Sequence, residues 1–412
     1  MGDVNHSDDC SQVSPPGANP TGRTKWLNRT VLGIGLASLL SDCSHEVATT
    51  IMPAFLATLG AAAAAWLGLI EGVSDGLSSF AKMGSGYFTD QLRRRKPIAV
   101  LGYVVTTVGT AAIGLATQAW HVLLFRATAW LGRGVRTPVR KALLAAAVTP
   151  ETYGRAFGFE RMMDTIGAIV GPATATLLLV MLPHQYATVF FLTCIPGVAA
   201  TCVIAFVVQE KDRARVPFIS FGERLTALPK SFRNFLVGVG LFGAGDFAHS
   251  MLILLAVQKL TPQHGTATAA SLATALYVLH NIFYAGFSFF AGWLADHVNK
   301  RRLLAGGYAL AAMMGLVLVF VPLNLATLAA VFVIGGIYVA IEEALEDSLT
   351  AELVAPEHHG MGFGVLATVN GVGDFLSSIV VGVLWSAIGP EAAFAYSSVM
   401  FVIGAALIRF WK

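Results

Sequence analysis

Apolar runs of about twenty residues or longer recur twelve times along the chain, separated by short polar turns. A helix rises 1.5 Å per residue and a bilayer's hydrocarbon core is roughly 30 Å thick, so runs of this length predict membrane-spanning helices. They fall at about 31–59, 66–88, 98–116, 120–148, 155–182, 187–208, 232–260, 268–294, 303–321, 326–353, 362–388 and 392–410. Hydrophobic residues make up 55% of the 412 and charged ones only 12%, which excludes a soluble globular domain. The expected fold class is an all-α membrane protein, twelve transmembrane helices in two six-helix bundles.

The charges between the runs are segregated. Even-numbered turns collect Arg93, Arg94, Arg95, Lys96, Arg155, Lys211, Arg213, Arg215, Arg224, Lys230, Arg233, Lys300, Arg301 and Arg302, whereas the odd-numbered turns hold only Lys259. The positive-inside rule then places both termini in the cytoplasm, in an inner (plasma) membrane. Residues 1–28, rich in Asp, Ser, Pro, Gly and Asn, read as a disordered cytoplasmic tail. The charged stretch 209–231 reads as a cytoplasmic linker between bundles at 29–208 and 232–412. Cys10, Cys43, Cys194 and Cys202 show no paired spacing, so neither a disulfide framework nor a thiolate metal site is indicated. Nothing points to nucleic acid, and no cofactor is implied.

The fourth run is the one that departs most from lipid-facing composition. It carries Arg126, Arg133, Arg136, Arg140 and Lys141, and spacings of seven, three and four put the arginines on one helical stripe. At roughly 2.5–3.5 kcal/mol per central charge, four arginines in lipid would cost on the order of 10 kcal/mol, so they must face water, counter-charges or a ligand. A shift of about 206 residues relates the halves: Gly86 and Asp90 return as Gly292 and Asp296, and Gly154, Phe157 and Gly158 return as Gly360, Phe363 and Gly364. The same shift maps Arg136, Arg140 and Lys141 onto Glu342, Glu346 and Asp347, a basic stripe answered by an acidic one.

Further ionisable groups sit inside other runs. Helix one holds Asp42, His45 and Glu46 on one face, and helix seven repeats an Asp-x-x-His pair with Asp246 and His249. Helix two carries Glu71, Asp75 and Lys82 along one stripe, and helix five adds Glu160 and Asp164, placed to pair with the arginines. A carboxylate in a poorly hydrated cavity gains proton affinity and can load and release protons, which makes Asp42 and Glu46 the best proton carriers. The same His and carboxylate groups would also suit a divalent metal.

With these motifs the chain resembles the major facilitator superfamily over nearly its whole length after the tail. Gly86-x-x-x-Asp90-x-x-x-Arg94-Arg95 is similar to that family's loop two-to-three motif, with a weaker copy from Gly292 and Asp296 onward. Arg126 followed by Gly132 and Gly134 resembles its helix-four motif, and Gly167-x-x-x-Gly171-Pro172 its helix-five motif. The resemblance implies a central cavity lined by helices one, four, seven and ten, two halves that rock about it, and a gate role for Asp90 and Arg94.

The expected function is secondary active transport of a small solute by alternating access, as proton-coupled efflux by a monomer, and not an enzymatic reaction. No Walker A pattern is present, so the energy would come from an ion gradient. A divalent metal or metal-chelate exporter, a lipid flippase and a non-transporting membrane sensor are the alternative readings.

Overall fold

The computed structural model describes residues 25–60, 63–210 and 220–410. Most of the expected tail and residues 211–219 of the linker lie outside them. Twelve spans are present among the described residues. The first bundle comprises α1 (Arg29–Thr58), α2 (Ala63–Asp90), α3 (Lys96–Ala112), α4 (Ala119–Ala146), α5 (Tyr153–Met181) and α6, whose two pieces are Tyr186–Leu192 and Cys194–Cys202. The second comprises α7, again in two pieces (Lys230–Gly243 and His249–His264), α8 (Thr266–Ala295), α9 (Lys300–Phe320), α10 (Leu325–Leu353), α11 (His359–Ala387) and α12 (Pro390–Phe410). Eight of these are long and apolar enough to cross a membrane by length and composition. The other four are α1, α2 and α4, which carry the internal charges, and the interrupted α7.

Local sequence sets the helix ends. Asn28, Asn299 and Asn324 each accept a hydrogen bond from a backbone N–H in the first turn of α1, α9 and α10, satisfying donors the helix itself leaves open. Gly265 links α7 to α8 at a φ of +77°, a left-handed turn that any side chain would strain. In α6, Pro196 has no N–H for the Leu192 carbonyl, and the helix breaks at Thr193.

Span seven is not the continuous helix that its hydropathy predicts. It is interrupted between Gly243 and His249, so Asp246 lies in a non-helical break and does not share a helical face with His249. The freed carbonyls are recaptured by neighbours: Tyr396 donates to the Ala244 oxygen at 2.9 Å and Ser377 to the Asp246 oxygen at 2.5 Å. Such substitution is what makes a broken helix tolerable at membrane depth.

The halves join through two helix pairs, α2 with α11 and α5 with α8. Both contacts are built on glycine. A Cβ on Gly86 would fall on the Gly360 carbonyl, and one on Gly154 would fall on the Gly292 carbonyl. These pairs are the two copies of one contact under the internal repeat. Farther along α2 the halves part: Cβ atoms on Gly76, Gly72 or Gly68 would meet nothing within 4 Å. The cleft between the bundles is therefore closed at the end that carries the linker. At that same end each half's hydrophobic cluster takes in a residue of the other, Tyr87 packing into the second bundle and Phe363 into the first.

Candidate functional site

The closed end is held by two carboxylates, each ending a helix of one half and capping a helix of the other. Asp90, the last residue of α2, accepts hydrogen bonds from the backbone N–H groups of Gly360 at 2.9 Å and Met361 at 2.7 Å, at the start of α11. Asp296, just past α8, accepts from the N–H groups of Gly154 at 2.8 Å and Arg155 at 3.1 Å, at the start of α5. A negative charge at a helix N-terminus satisfies open donors and complements the helix dipole, so both interactions exist only while the halves touch.

Around Asp90 the structure brings in cations that the motif does not single out. The sequence motif points to Arg94, with Arg95 counted among topological charges. Arg95, 1% exposed, ion-pairs with Asp90. Its backbone N–H and that of Lys96 are both taken by Glu210, at 2.7 and 2.9 Å. Arg224, which the sequence shows only as one of the linker's positive charges, comes from a short helix, Phe221–Thr226, and lies fully buried 4.0 Å from Asp90. Ser220 caps that helix, and its side-chain hydrogen bond holds the Glu223 carboxyl below the usual range.

Beyond the clamps lies a polar band across both halves. Arg140 ion-pairs with Glu160 at 2.6 Å, sits 3.6 Å from Asp164, and donates to Ser38 at 2.6 Å. Arg161 takes Asp164 at 3.2 Å in its own half and Glu343 at 2.5 Å in the other. Lys141 meets Asp347 at 2.6 Å. The 206 positions between those two residues equal the repeat shift, so repeat-equivalent positions touch across the pseudo-two-fold axis. Two acids of the second half are held by neutral donors instead: Glu346 by Tyr308 (2.5 Å) and Asn370 (2.8 Å), and Asp246 by Tyr338 (3.1 Å). Glu342 is buried on the same helix.

A second polar cluster lies nearer the far end of α4. Arg126, 1% exposed, donates to Glu71 at 3.1 Å and Thr49 at 3.0 Å, and its guanidinium stacks 3.4 Å from the centre of the Trp130 ring. Trp130 in turn donates to Asp75 at 2.7 Å and packs on His45, which contacts Glu46 at 3.4 Å. Arg133 takes Asp42 at 3.1 Å between the cluster and the band. The helix-five glycines make this possible. A Cβ on Gly171 would stand 2.5 Å from that of Glu46, and one on Gly167 would stand 3.0 Å from that of Asp42, so α5 presses against the charged face of α1. Pro172 continues that segment inside α5.

The band encloses a cavity of about 240 Å³ lined by Arg133, Arg136 and Arg140 from α4, Lys82 from α2, and Glu346 and Asn370 from the second half. Asp164 and Asp374 also border it. The expected cavity set is thus divided. Asp42 reaches the cavity wall through Arg133, whereas Arg126, His45, Glu46, Asp246, His249 and Glu342 stand apart from its lining. The two Asp-x-x-His pairs do not converge: His45 packs on Trp130, and His249 packs edge-on against His280 with ring centres 4.6 Å apart. Among the described residues no group of three His, Cys, Asp or Glu side chains is gathered as a metal site would need.

Twelve spans, two repeat-related carboxylate clamps and a charged cavity between the halves are now joined by sequence comparison. A model of the Major Facilitator Superfamily matches residues 34–258 and 235–412. The chain belongs to the major facilitator superfamily. It is 28% identical over 384 residues to an uncharacterised MFS-type transporter of Methanocaldococcus jannaschii, covering 93% of this chain and 95% of that one. It is 27% identical over 322 residues to the multidrug resistance protein MdtH of Shigella boydii, covering 74% and 75%. In fold it is similar to the crystal structure of the human organic anion transporter MFSD10, with a TM-score of 0.76 at 16% identity, over 92% of this chain and 99% of that one. As a superfamily member the chain is a multi-pass membrane transport protein, and its twelve helices form that family's two pseudo-symmetric bundles.

Proposed function

We propose that the protein moves a small solute out of the cell by alternating access, in exchange for protons. The observation that carries this reading is the paired clamp at one end of the cleft. Asp90 and Asp296 each bind the start of a helix in the opposite half, while α2 stands clear of the other half farther along. A cleft closed at one end by reversible polar contacts is the resting form of a two-sided gate, because opening that end costs these bonds and must be repaid by contacts at the other. With both termini cytoplasmic, the form described here is closed to the cytoplasm and open outward.

Proton coupling rests on buried carboxylates beside arginines. Asp42 pairs with Arg133 of the cavity wall, and Glu46 lies beside His45, whose ring in turn contacts Arg126. Neutralising one weakens its ion pair and changes what the cavity can hold. The outward direction is supported by the relative of Shigella boydii, a multidrug resistance protein.

The test is solute flux in proteoliposomes with and without an imposed pH gradient, on the native chain and Asp42→Asn. Gradient-driven flux should fall at least tenfold in the variant while solute exchange without a gradient persists. Flux that ignores both the gradient and the substitution would refute proton exchange.

A further inference from the structure

Arg136 is the odd member of the α4 stripe. Arg126, Arg133 and Arg140 each take a carboxylate of their own half, Glu71, Asp42 and Glu160. Arg136, only 3% exposed and in the cavity wall, forms no salt bridge and donates no hydrogen bond among the described residues, and its Nε and Nη1 atoms are buried without a partner. Among the described residues its guanidinium rests on the face of Tyr103, 4.1 Å from the guanidinium carbon. A buried cation in this condition is costly unless something supplies the missing acceptors.

The backbone fixes the side chain where it stands. A Cβ on Gly102 would lie 2.7 Å from that of Arg136, and one on Gly132 would lie 2.7 Å from the Thr106 nitrogen, so α3 and α4 touch here and hold the arginine stem. The fold itself does not require a cation at this place. The repeat-equivalent position is Glu342, which carries the opposite charge at comparable burial. Lys82, across the cavity on α2, is a second cation with no carboxylate within ion-pair distance among the described residues.

We propose that Arg136 is the anchor for the acid group of a small organic carboxylate, held in this cavity with Lys82 as the second positive neighbour. The planar fork of a guanidinium matches the two oxygens of a carboxylate. Glu346, Asp164 and Asp374 border the same space, so a single negative charge fits better than a dianion such as phosphate. At about 240 Å³ the cavity is smaller than the roughly 300–1,000 Å³ of drug-sized sites, which favours a compact acid. Glu346, with its oxygens on Tyr308 and Asn370, offers an acceptor for a hydroxyl or amino group on the far side of that acid.

This assignment rests on the reading of the cavity as a transport path, and binding is tested apart from transport. The purified full-length protein in detergent, at fixed pH and without a gradient, is titrated with lactate, benzoate and alanine, with the matching alcohols and amines, and with inorganic phosphate. Thermal stability and calorimetry are the readouts. At least one carboxylate should raise the unfolding midpoint of the native protein, while its alcohol or amine counterpart does not. Arg136→Lys, which keeps the charge and loses the fork, should weaken that binding at least tenfold, and Arg136→Gln should abolish it. Arg133→Lys serves as the comparison for a paired arginine and should alter binding less. If Arg136→Gln fails to fold, Arg136→Lys alone decides. The assignment is overturned if no carboxylate binds, if phosphate binds better, or if the lysine variant binds as the native chain does. Binding without proton-driven flux would leave this assignment standing and remove the coupling proposed above.

Discussion

At the scale of single residues, ion pairs inside a transporter are unequal, and burial decides which of them matter. Arg140 and Glu160 are both nearly fully enclosed, whereas Glu71, the partner of Arg126, is 34% exposed at its side chain. Removing one partner of an enclosed pair leaves an uncompensated charge, at a cost of about 3–5 kcal/mol. Glu160→Met should therefore lower the thermal unfolding midpoint clearly, toward the smaller end of that range because Asp164 remains 3.6 Å from Arg140. Adding Arg140→Met should recover most of the loss, and unfolding of the two variants in detergent checks both statements. Helical spacing alone places the four arginines on one stripe and names Glu160 and Asp164 as partners. It cannot assign Glu71 to Arg126 or Asp42 to Arg133, since those choices are made by the packing of separate helices. Arg95 shows the same limit: four consecutive cations look alike in sequence, and nothing in their spacing singles out Arg95 for the pair it makes with Asp90.

At the scale of elements, the repeat made the clamps legible and hydropathy hid the break. Gly86 with Gly292 and Gly154 with Gly360 stand out as matched pairs at one shift, although nothing in that match says that Gly86 lies on Gly360. Contact across halves follows from the pseudo-two-fold arrangement, which a linear comparison does not contain. Span seven fails for a different reason: a run of apolar residues has the same hydropathy whether its carbonyls bond within the helix or to Tyr396 and Ser377. The helix contact also makes a prediction. Gly86→Val would place carbon on the Gly360 carbonyl and should prevent closure of the linker end. An Asn370→Cys reporter should then react with a membrane-impermeant maleimide from the linker side in the valine background, and be protected without it.

At the scale of the whole molecule, the two halves work against each other as units, and the point where they part can be tethered. A Cβ on Gly371 would lie 3.7 Å from that of Ser79, within the roughly 3.5–4.5 Å that a disulfide spans. Ser79→Cys with Gly371→Cys, in a chain whose native cysteines are replaced by serine, should oxidise readily and hold this form. Flux should fall to background on oxidation and return on reduction, and intact flux in the fully oxidised protein would mean that the halves need not separate there. The fold at this scale was the most legible part of the sequence, because twelve runs, charge asymmetry and an internal repeat each constrain the same architecture.

Lys141 and Asp347 also bear on descent. Two identical subunits facing each other about a dyad would set lysine against lysine there, or aspartate against aspartate, and repel. Their present attraction is open only to two copies that have been free to mutate separately, so duplication into distinct copies preceded this pairing. The same reasoning makes the site a marker of orientation: exchanging both residues at once preserves the bond, while changing either by itself recreates the ancestral conflict.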